Sequence, residues 1–560
     1  MTRFFDKRKI IVAVILSFLF TVMQVVGYQI SGMYHTSVHQ SSFFQNIAVL
    51  TKMQCLMLAI IEFILWSLII LLLFTLLERI KSPEINHEGR IGLRIWLFTG
   101  LLLFICWMPC FLAGYPSFYD YDGFQQVPQA LYPQVQYSAH HPLLHTLLMG
   151  KIIAFGYHHG VELNDGLVLY SIFQMLFCAV VFSYVLCFIR RITGRRWLFI
   201  LAFCYYAFCP VIPMFAISTT KDVIFSALLL LTVMFLYEMC GDMTAFFASK
   251  KKIIRFFVIS LLMCLFRKNG IYIVLCAIPF ILLLYKKYWR RLIVLFGTVI
   301  LLSIVVNRGL IWVLHAENAS MKEMLSVPMQ QIARVYNDYG EDAFDEKELE
   351  LIYKGIAGEL ICQYDPLLSD PIKNFFDFDV FLDNKMEFLK LWLHKGLQYP
   401  KAYLKAFLEN TYQAWYPGTS IYDRPFAEQT VYFELGMWSG GYRDSKLPLL
   451  LPFYEKIATD YYYQKIPGVR LLFSIGAMLW VSLFVMSYAI YRKNRPLMAA
   501  ILMVHCCCVT VLLGPVSLVR YYLILFYGFP VYIGFLFTPK TDFLDIPKNL
   551  LTTVGKSYKI

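Results

Sequence analysis

Four absences bound this chain before any motif is read. No nucleotide-phosphate P-loop, GxSxG nucleophile elbow or zinc-type cysteine spacing occurs in its 560 residues, so those three chemistries have no sequence support. Cysteine is missing where an outer segment would use it: of 14 cysteines, only Cys362 lies in the long polar stretch 315–465. That stretch cannot hold an internal disulfide, and oxidative folding is not what stabilises it. No internal repeat is visible, which weighs against a transporter built from inverted halves. The fourth absence is positional. In a chain with 50 basic residues, no Lys or Arg occurs between Arg94 and Lys151. Cytoplasmic loops of membrane proteins gather Lys and Arg, so a cation-free stretch of that length belongs on the far side of a membrane.

What is present is apolar. The chain is 59% hydrophobic with a mean hydropathy of +0.60, and runs of 18 or more apolar residues recur, each enough to cross about 30 Å of hydrocarbon. The formal charge of +13 does not indicate a nucleic-acid partner, because residues 315–465 carry 23 acids against 15 bases. The basic excess sits instead in short loops, where it orients the protein and faces anionic lipid. The expected fold is an all-α polytopic membrane protein with about twelve transmembrane helices and a mixed, mainly helical extracytoplasmic domain. Two N-terminal spans (about Ile10–Gly27 and Met53–Leu77) occupy residues 1–90, with Arg3, Lys7, Arg8 and Lys9 holding the start inside as an uncleaved signal anchor. A transmembrane core occupies 91–314, with its first outer loop at 114–166, and spans near Ile95–Ala113, Leu167–Phe188, Trp197–Ile217, Val223–Cys240 and Leu292–Leu314. Two shorter apolar pieces, Phe256–Phe266 and Ile271–Leu284, form a hairpin with RKNG at its outer tip. Residues 315–467 form the extracytoplasmic domain, 468–540 the last three spans, and 541–560 a cytoplasmic tail, so both termini lie inside. Pro142–Gly156 is too short to cross comfortably; counted as a span, it would put the RRITGRR loop outside. It is therefore expected to lie along the outer surface, with His158 and His159 in solvated loop beyond it.

This topology sorts the polar residues by side. Asp120, Asp122, Gln126, His140, His141, His145, Lys221, Asp222, Arg267, Lys268 and Arg520 all fall at outer helix ends or in the outer loop. Cations there run against the positive-inside trend and need a reason. Either each snorkels or pairs locally, or Lys221, Arg267, Lys268 and Arg520 converge on one anion such as a phosphate. Asp120 and Asp122, two apart after Pro116, would share a face in an extended turn, where one could act as general base. The competing use is an Asp capping the next turn. His141 and His145 have the i, i+4 spacing of helix-borne metal ligands, but no Glu accompanies them as in HExxH. Hydrogen bonding to the acids or to a phosphate is the favoured reading; no metal site is assigned, and a divalent cation is the lesser option. Gln330, Gln331 and Arg334, in SVPMQQIARVY, open the outer domain over the presumed site, either as substrate contacts or as an ordinary interfacial helix.

The segments YPSFYDYDGFQQ (115–126), HHP (140–142), STTKD (218–222), VPMQQIARVY (327–336) and GPVSLVRYY (514–522) resemble the GT-C superfamily of polytopic glycosyltransferases, which includes protein O-mannosyltransferases and the aminoarabinose transferases of lipid A. They are most similar to a bacterial multi-pass group with a Tyr-Pro-Gly…Tyr-Asp…Gln loop. Here Tyr115, Pro116, Tyr121, Asp122 and Gln126 match it, and Ser117 stands where Gly is usual. The resemblance implies a plasma-membrane enzyme with its active site outside. It would move a sugar from a polyprenyl-phosphate donor to an envelope glycan, teichoic acid-like polymer, lipid or protein. Asp122 is the first choice of base and Asp120 the second, with Lys221, Arg267, Lys268 or Arg520 on the leaving lipid phosphate. Rival readings are a lipid or polysaccharide transporter, which should show mid-span charges and a pseudo-repeat, and a membrane O-acyltransferase, which would want its His inside the bundle.

Overall fold

The structure, a computed structural model, describes residues 6–34, 49–80, 92–160, 162–319, 322–419, 441–458, 462–466 and 468–538. Arg3, the basic loop residues Lys81 and Arg90, and the expected tail 541–560 lie outside these. Among the described residues the chain is helical, with isolated bridges in place of strands. The helices used below are α1 (Lys7–Tyr34), α2 (Lys52–Arg79), α3 (Leu93–Ala113), α4 (Tyr121–Gln126), α5 (Leu143–Gly160), α6 (Leu163–Thr193), α7 (Arg196–Phe208), α8 (Asp222–Gly241), α9 (Lys250–Phe266), α10 (Asn269–Leu284), α11 (Trp289–Val313), α12 (Ser326–Tyr339), α13 (Pro400–Trp415), α14 (Ile475–Arg492), α15 (Arg495–Leu512) and α16 (Leu523–Leu536).

Nine helices among the described residues are long and apolar enough to cross a membrane: α1, α2, α3, α6, α8, α11, α14, α15 and α16, with the 3-10 turns leading into α11 and α16. The protein is a helical membrane protein. Three expected spans are shorter helices. α9 and α10 form the expected hairpin, broken at Arg267–Lys268. The run expected as one helix over Trp197–Ile217 ends at Phe208 and resumes as the short helix Val211–Ala216. Pro210 explains the break, since it cannot donate to the previous turn and disfavours helical backbone before it. The surface helix expected over Pro142–Gly156 is α5, which runs on to Gly160 and takes His158 and His159 into its last turn.

The bundle is organised around α8. Within its apolar window 89% of residues are buried, against 6% for α2, so α8 is enclosed by protein and α2 borders the bundle. α8 packs against α6, α9, α15 and α16, and Leu229, Leu230, Val233, Met234 and Leu236 are fully enclosed. α1 and α2 form a side pair that docks on α14, where Phe20 stacks on Trp480 at 4.1 Å and Trp66 meets the same ring edge-on. Lys9 and Glu78, 2.7 Å apart, close the pair at one end. α12, α13 and the short helices between them bury a second core around Ile332, Ile352, Ile372 and Phe388. α13 joins that core to the bundle by packing on both α12 and α14.

α5 folds back on α6 through two glycines. A Cβ on Gly156 would lie 2.5 Å from the Gly166 Cα, and one on Gly166 would lie 2.8 Å from the Ile153 side chain. Only hydrogens fit there, so the backbones touch, as small residues allow in membrane bundles. Gly166→Val should therefore cost ~1–3 kcal/mol or more through overpacking and reduce the monodisperse peak in size-exclusion chromatography. Gly309→Val, on α11 where a Cβ meets nothing within 4 Å, should leave that peak nearly unchanged.

Candidate active site

The loop after α3 is held to the loop before α8 by backbone pairing. Phe118 N–H donates to Ile217 O at 3.0 Å, and Thr219 N–H to Phe118 O at 3.0 Å, forming a short parallel bridge. The Ser117 hydroxyl donates to Ile217 O at 2.8 Å, and the Asp120 N–H reaches Thr219 Oγ1 at 3.0 Å. Gln174 of α6 clamps the second segment, its Nε2 donating to Phe215 O, Ala216 O and, at 2.7 Å, Ser218 O. Gly123 makes the approach close enough: a Cβ there would lie 2.8 Å from Thr219 Cβ.

That pairing separates the roles of the two acids. Asp120 is the N-cap of α4, its Oδ1 accepting from Gly123 N–H at 2.8 Å and from the Thr219 hydroxyl at 2.8 Å. The capping use of this residue is thus realised. Asp122, two residues on, faces cations: Lys221 Nζ forms an ion pair with its Oδ2, and Arg520 lies 3.6 Å from Oδ1. Arg520 is also 3.7 Å from Asp120. Burial and then the neighbouring Asp122 charge raise the Asp120 pKa. Burial would also raise Asp122, but Arg520 and Lys221 outweigh it and hold the carboxyl well below its ordinary value. Burial works against the Lys221 ammonium, yet Asp122 and Asp222 raise its pKa overall. Two carboxylates in one site are therefore driven in opposite directions.

The histidines are neutral parts of the same network. Lys221 Nζ lies 3.3 Å from His141 Nδ1; an ammonium has no lone pair, so Nδ1 accepts and the proton sits on Nε2, which faces Gln125 Oε1 at 2.9 Å. Burial and the Lys221 charge push His141 down to about 2. Gln126 Nε2 donates to Asp122 O at 3.0 Å, which turns Oε1 toward His145 Nδ1 at 2.8 Å and makes that nitrogen the donor. His145 Nε2 meets the Tyr170 hydroxyl at 3.1 Å, so both ring nitrogens are engaged within the protein. Burial, then Lys221, push His145 down to about 3. His145 and Gln126, expected as substrate contacts, thus serve as internal support for the acidic loop. His140 is exposed at the rim, its ring 4.8 Å from that of His141. Among the described residues no three His, Cys, Asp or Glu side chains are grouped to hold a metal.

The four cations arrive at the same end of the bundle with different partners. Arg267 pairs with Asp222 at 2.7 Å, and its guanidinium lies 4.9 Å from the Tyr521 ring. Asp222, fully buried, also accepts from Thr220 at 3.1 Å, so these two are a closed structural pair. Arg520 bridges the two acids at the long distances given above. Lys268 has no carboxylate partner among the described residues; its Nζ donates to Ala139 O and, at 3.4 Å, to His140 O. Burial and the Lys221 charge lower it to about 8. Four cations against Asp120, Asp122 and Asp222 leave a formal net charge of +1 in this half-buried cluster.

Gln330, Gln331 and Arg334 stand elsewhere. Arg334 bonds Asp338 at 2.8 Å and Glu409 at 2.6 Å, Gln331 Oε1 accepts from Trp392 Nε1 at 2.7 Å, and Gln330 Nε2 donates to Asp365 O. They tie α12 to α13 and the rest of the second core through contacts within the protein. Gln125 and Thr219, inside the segments quoted above but not singled out there, belong to the site, as do Tyr170, Gln174 and Arg443, which no sequence pattern marks. Arg443 bonds Ser117 O at 2.8 Å and the Gly114 carbonyl, with its guanidinium 5.3 Å from the Phe118 ring. It straps the acidic loop from a distance of 326 residues along the chain, and no local pattern announces it.

A family model described as a family of unknown function (DUF6020) matches residues 120–540. The chain belongs to this family. The match starts at Asp120 and takes in Asp122, Lys221, Arg267, Lys268 and Arg520, while α1, α2 and α3 precede it. No curated protein and no solved structure matches the chain.

Removing Lys221 strips Asp122 of its closest counter-charge in a buried site. Lys221→Ala should cost about 3 kcal/mol, the lower end for a broken buried pair, because Arg520 remains. Asp122→Ala/Lys221→Ala should cost less than the single change, measured by thermal unfolding in detergent. His141 and His145 are depressed in the folded protein, so acid favours the unfolded chain. Their contribution is intact above the ordinary histidine value and is lost as pH falls below it. Thermal stability should fall between pH 6.5 and 5 by about 2 kcal/mol per histidine.

Proposed function

We propose that the protein is a membrane glycosyltransferase that moves a sugar from a polyprenyl-phosphate donor to a hydroxyl of an extracytoplasmic acceptor. The observation that carries this reading is the convergence of Asp120, Asp122, Lys221, Lys268 and Arg520 in one cluster, at a single end of the helices. Carboxylates suit a proton acceptor, and cations beside them suit a phosphate leaving group. The resemblance to the GT-C superfamily, carried by 115–126, 218–222 and 514–522, supplies the donor class. In this proposal twelve helices cross a bacterial plasma membrane, α7, α9 and α10 among them, and the cleft opens on the outer face.

Asp122 takes the proton of the acceptor hydroxyl as its oxygen attacks the anomeric carbon. The bond from that carbon to the phosphate oxygen breaks, and its electron pair leaves with the polyprenyl phosphate. Lys221, Arg520 and Lys268 bind that phosphate. Because Lys221 and Arg520 are the groups holding Asp122 acidic, an arriving phosphate competes for them and frees the carboxylate to act as base. Asp120 fixes the turn from which Asp122 projects. The mechanism requires no metal, and the acceptor is an envelope polymer.

Glycan analysis of envelope polymers from cells carrying wild type, a deletion, Asp122→Asn or Asp120→Ala tests this. Deletion and Asp122→Asn should both remove one sugar substituent while leaving the polymer backbone intact, the second through a turnover loss of about 10²–10⁴-fold at normal protein level. Asp120→Ala, which removes the cap oxygen, should act chiefly by lowering the folded amount, with a cap loss of ~0.5–2 kcal/mol. Unchanged glycans in the deletion would exclude this reading.

A further inference from the structure

At the opposite end of the bundle from the acidic cleft, α9 and α11 leave a groove of about 440 Å³ between them. Phe247, Ile253, Phe257, Val294, Leu295 and Thr298 form its walls, and Arg290 and Arg291 stand at its mouth. The two ends are far apart: α9 runs 17 residues from Lys250 to Phe266, about 25 Å at 1.5 Å per residue, before reaching Arg267 and Lys268. From Arg291 to Thr298 the groove follows α11 by about two turns, roughly 10 Å. Its shape is a charged mouth leading into an apolar trough.

The mouth is cationic without compensation. Arg290 and Arg291 line it, Lys250, Lys251 and Lys252 stand in the first turn of α9, and Lys286 and Lys287 in the turn leading into α11; none of the seven has a carboxylate at ion-pair distance among the described residues. Between residues 243 and 291 the sequence holds no acid at all. The nearest acids are committed elsewhere. Glu238 pairs with Arg255 at 2.6 Å and with Arg191, and Asp242 caps the helix at Met243. The wall is held in place: Arg291 lies 5.6 Å from the Phe247 ring, Phe247 stacks on Tyr288, and the Tyr288 hydroxyl meets Thr244 at 2.8 Å. Exposed Arg290 and Arg291 therefore project from a built edge of an apolar trough.

We propose that this groove binds an anionic phospholipid, with its phosphate on Arg290 and Arg291 and one acyl chain along Phe257, Val294 and Thr298. A uniformly cationic mouth selects a headgroup of net negative charge, and the apolar walls select a chain attached to it. Free phosphate satisfies the mouth but leaves the trough unfilled. A zwitterionic lipid fills the trough but brings its own cation to the mouth. The site is separate from the acidic cleft and does not depend on how that cleft is read.

Native mass spectrometry of the full-length protein, released from nanodiscs of phosphatidylcholine with phosphatidylglycerol, reads the site directly. Wild type should retain phosphatidylglycerol in preference to phosphatidylcholine. R290Q/R291Q should bind phosphatidylglycerol about 25-fold more weakly, the product of roughly fivefold for each cation removed. Thr298→Trp, which fills the trough and leaves the arginines in place, should also lose the lipid. Equal retention of the two lipids, unchanged retention in either variant, or displacement of the lipid by inorganic phosphate alone would each overturn the proposal.

Discussion

A carboxylate leaves water only if something replaces the water, and Asp122 sets the terms on which this protein folds around its cleft. Its counter-charges are Lys221, at the start of α8, and Arg520, at the start of the last helix. Neither can reach it unless the loop after α3 lies against the loop before α8. The backbone bridge between Phe118 and Ser218 makes that contact, and Gln174 and Arg443 hold it from two further segments. Breaking one partner leaves a buried charge uncompensated, so the cluster is a constraint on the fold as much as a site.

The same constraint explains why α8 is central. Its first residue, Asp222, pairs with Arg267 from the tip of the α9–α10 hairpin, and the residue before it pairs with Asp122. One helix end therefore gathers the acidic loop, the hairpin tip and α16, while the apolar remainder of α8 is enclosed by the helices that follow from those contacts. Polar pairing aligns the helix ends, and packing of the apolar faces fills the space between them. In hydrocarbon, where apolar surface gains little by meeting other apolar surface, such end contacts and close glycine approaches specify which helices are neighbours.

The protein divides its charge by end. One end carries acids and cations matched nearly one for one, with neutral buried histidines threading between them. The other, beyond the pairs Glu238 makes with Arg191 and Arg255, carries unmatched cations around an apolar trough. The first arrangement suits reversible exchange of one counter-charge for another, which the proposed transfer uses. The second suits standing attraction to a negative surface.

Much of the helical plan was legible because it rests on local properties. Apolar length alone identifies a membrane helix, whatever its neighbours, and the nine spanning candidates among the described residues fall where hydropathy places them. Composition also located the polar residues at helix ends, because charge is costly elsewhere in a membrane chain. Proline at 210 was a local signal too, outweighed by the apolar run around it. What the residues do to one another was not legible. That Asp120 caps and Asp122 pairs, that Arg267 is neutralised while Lys268 is not, and that Arg334 serves the second core depend on partners up to 400 residues away along the chain. Sequence by itself determined which segments are helices and which residues stand at their ends, since both follow from the solvent each residue can tolerate. Only the tertiary structure decided which charges meet, because pairing energy depends on distances that chain order does not encode.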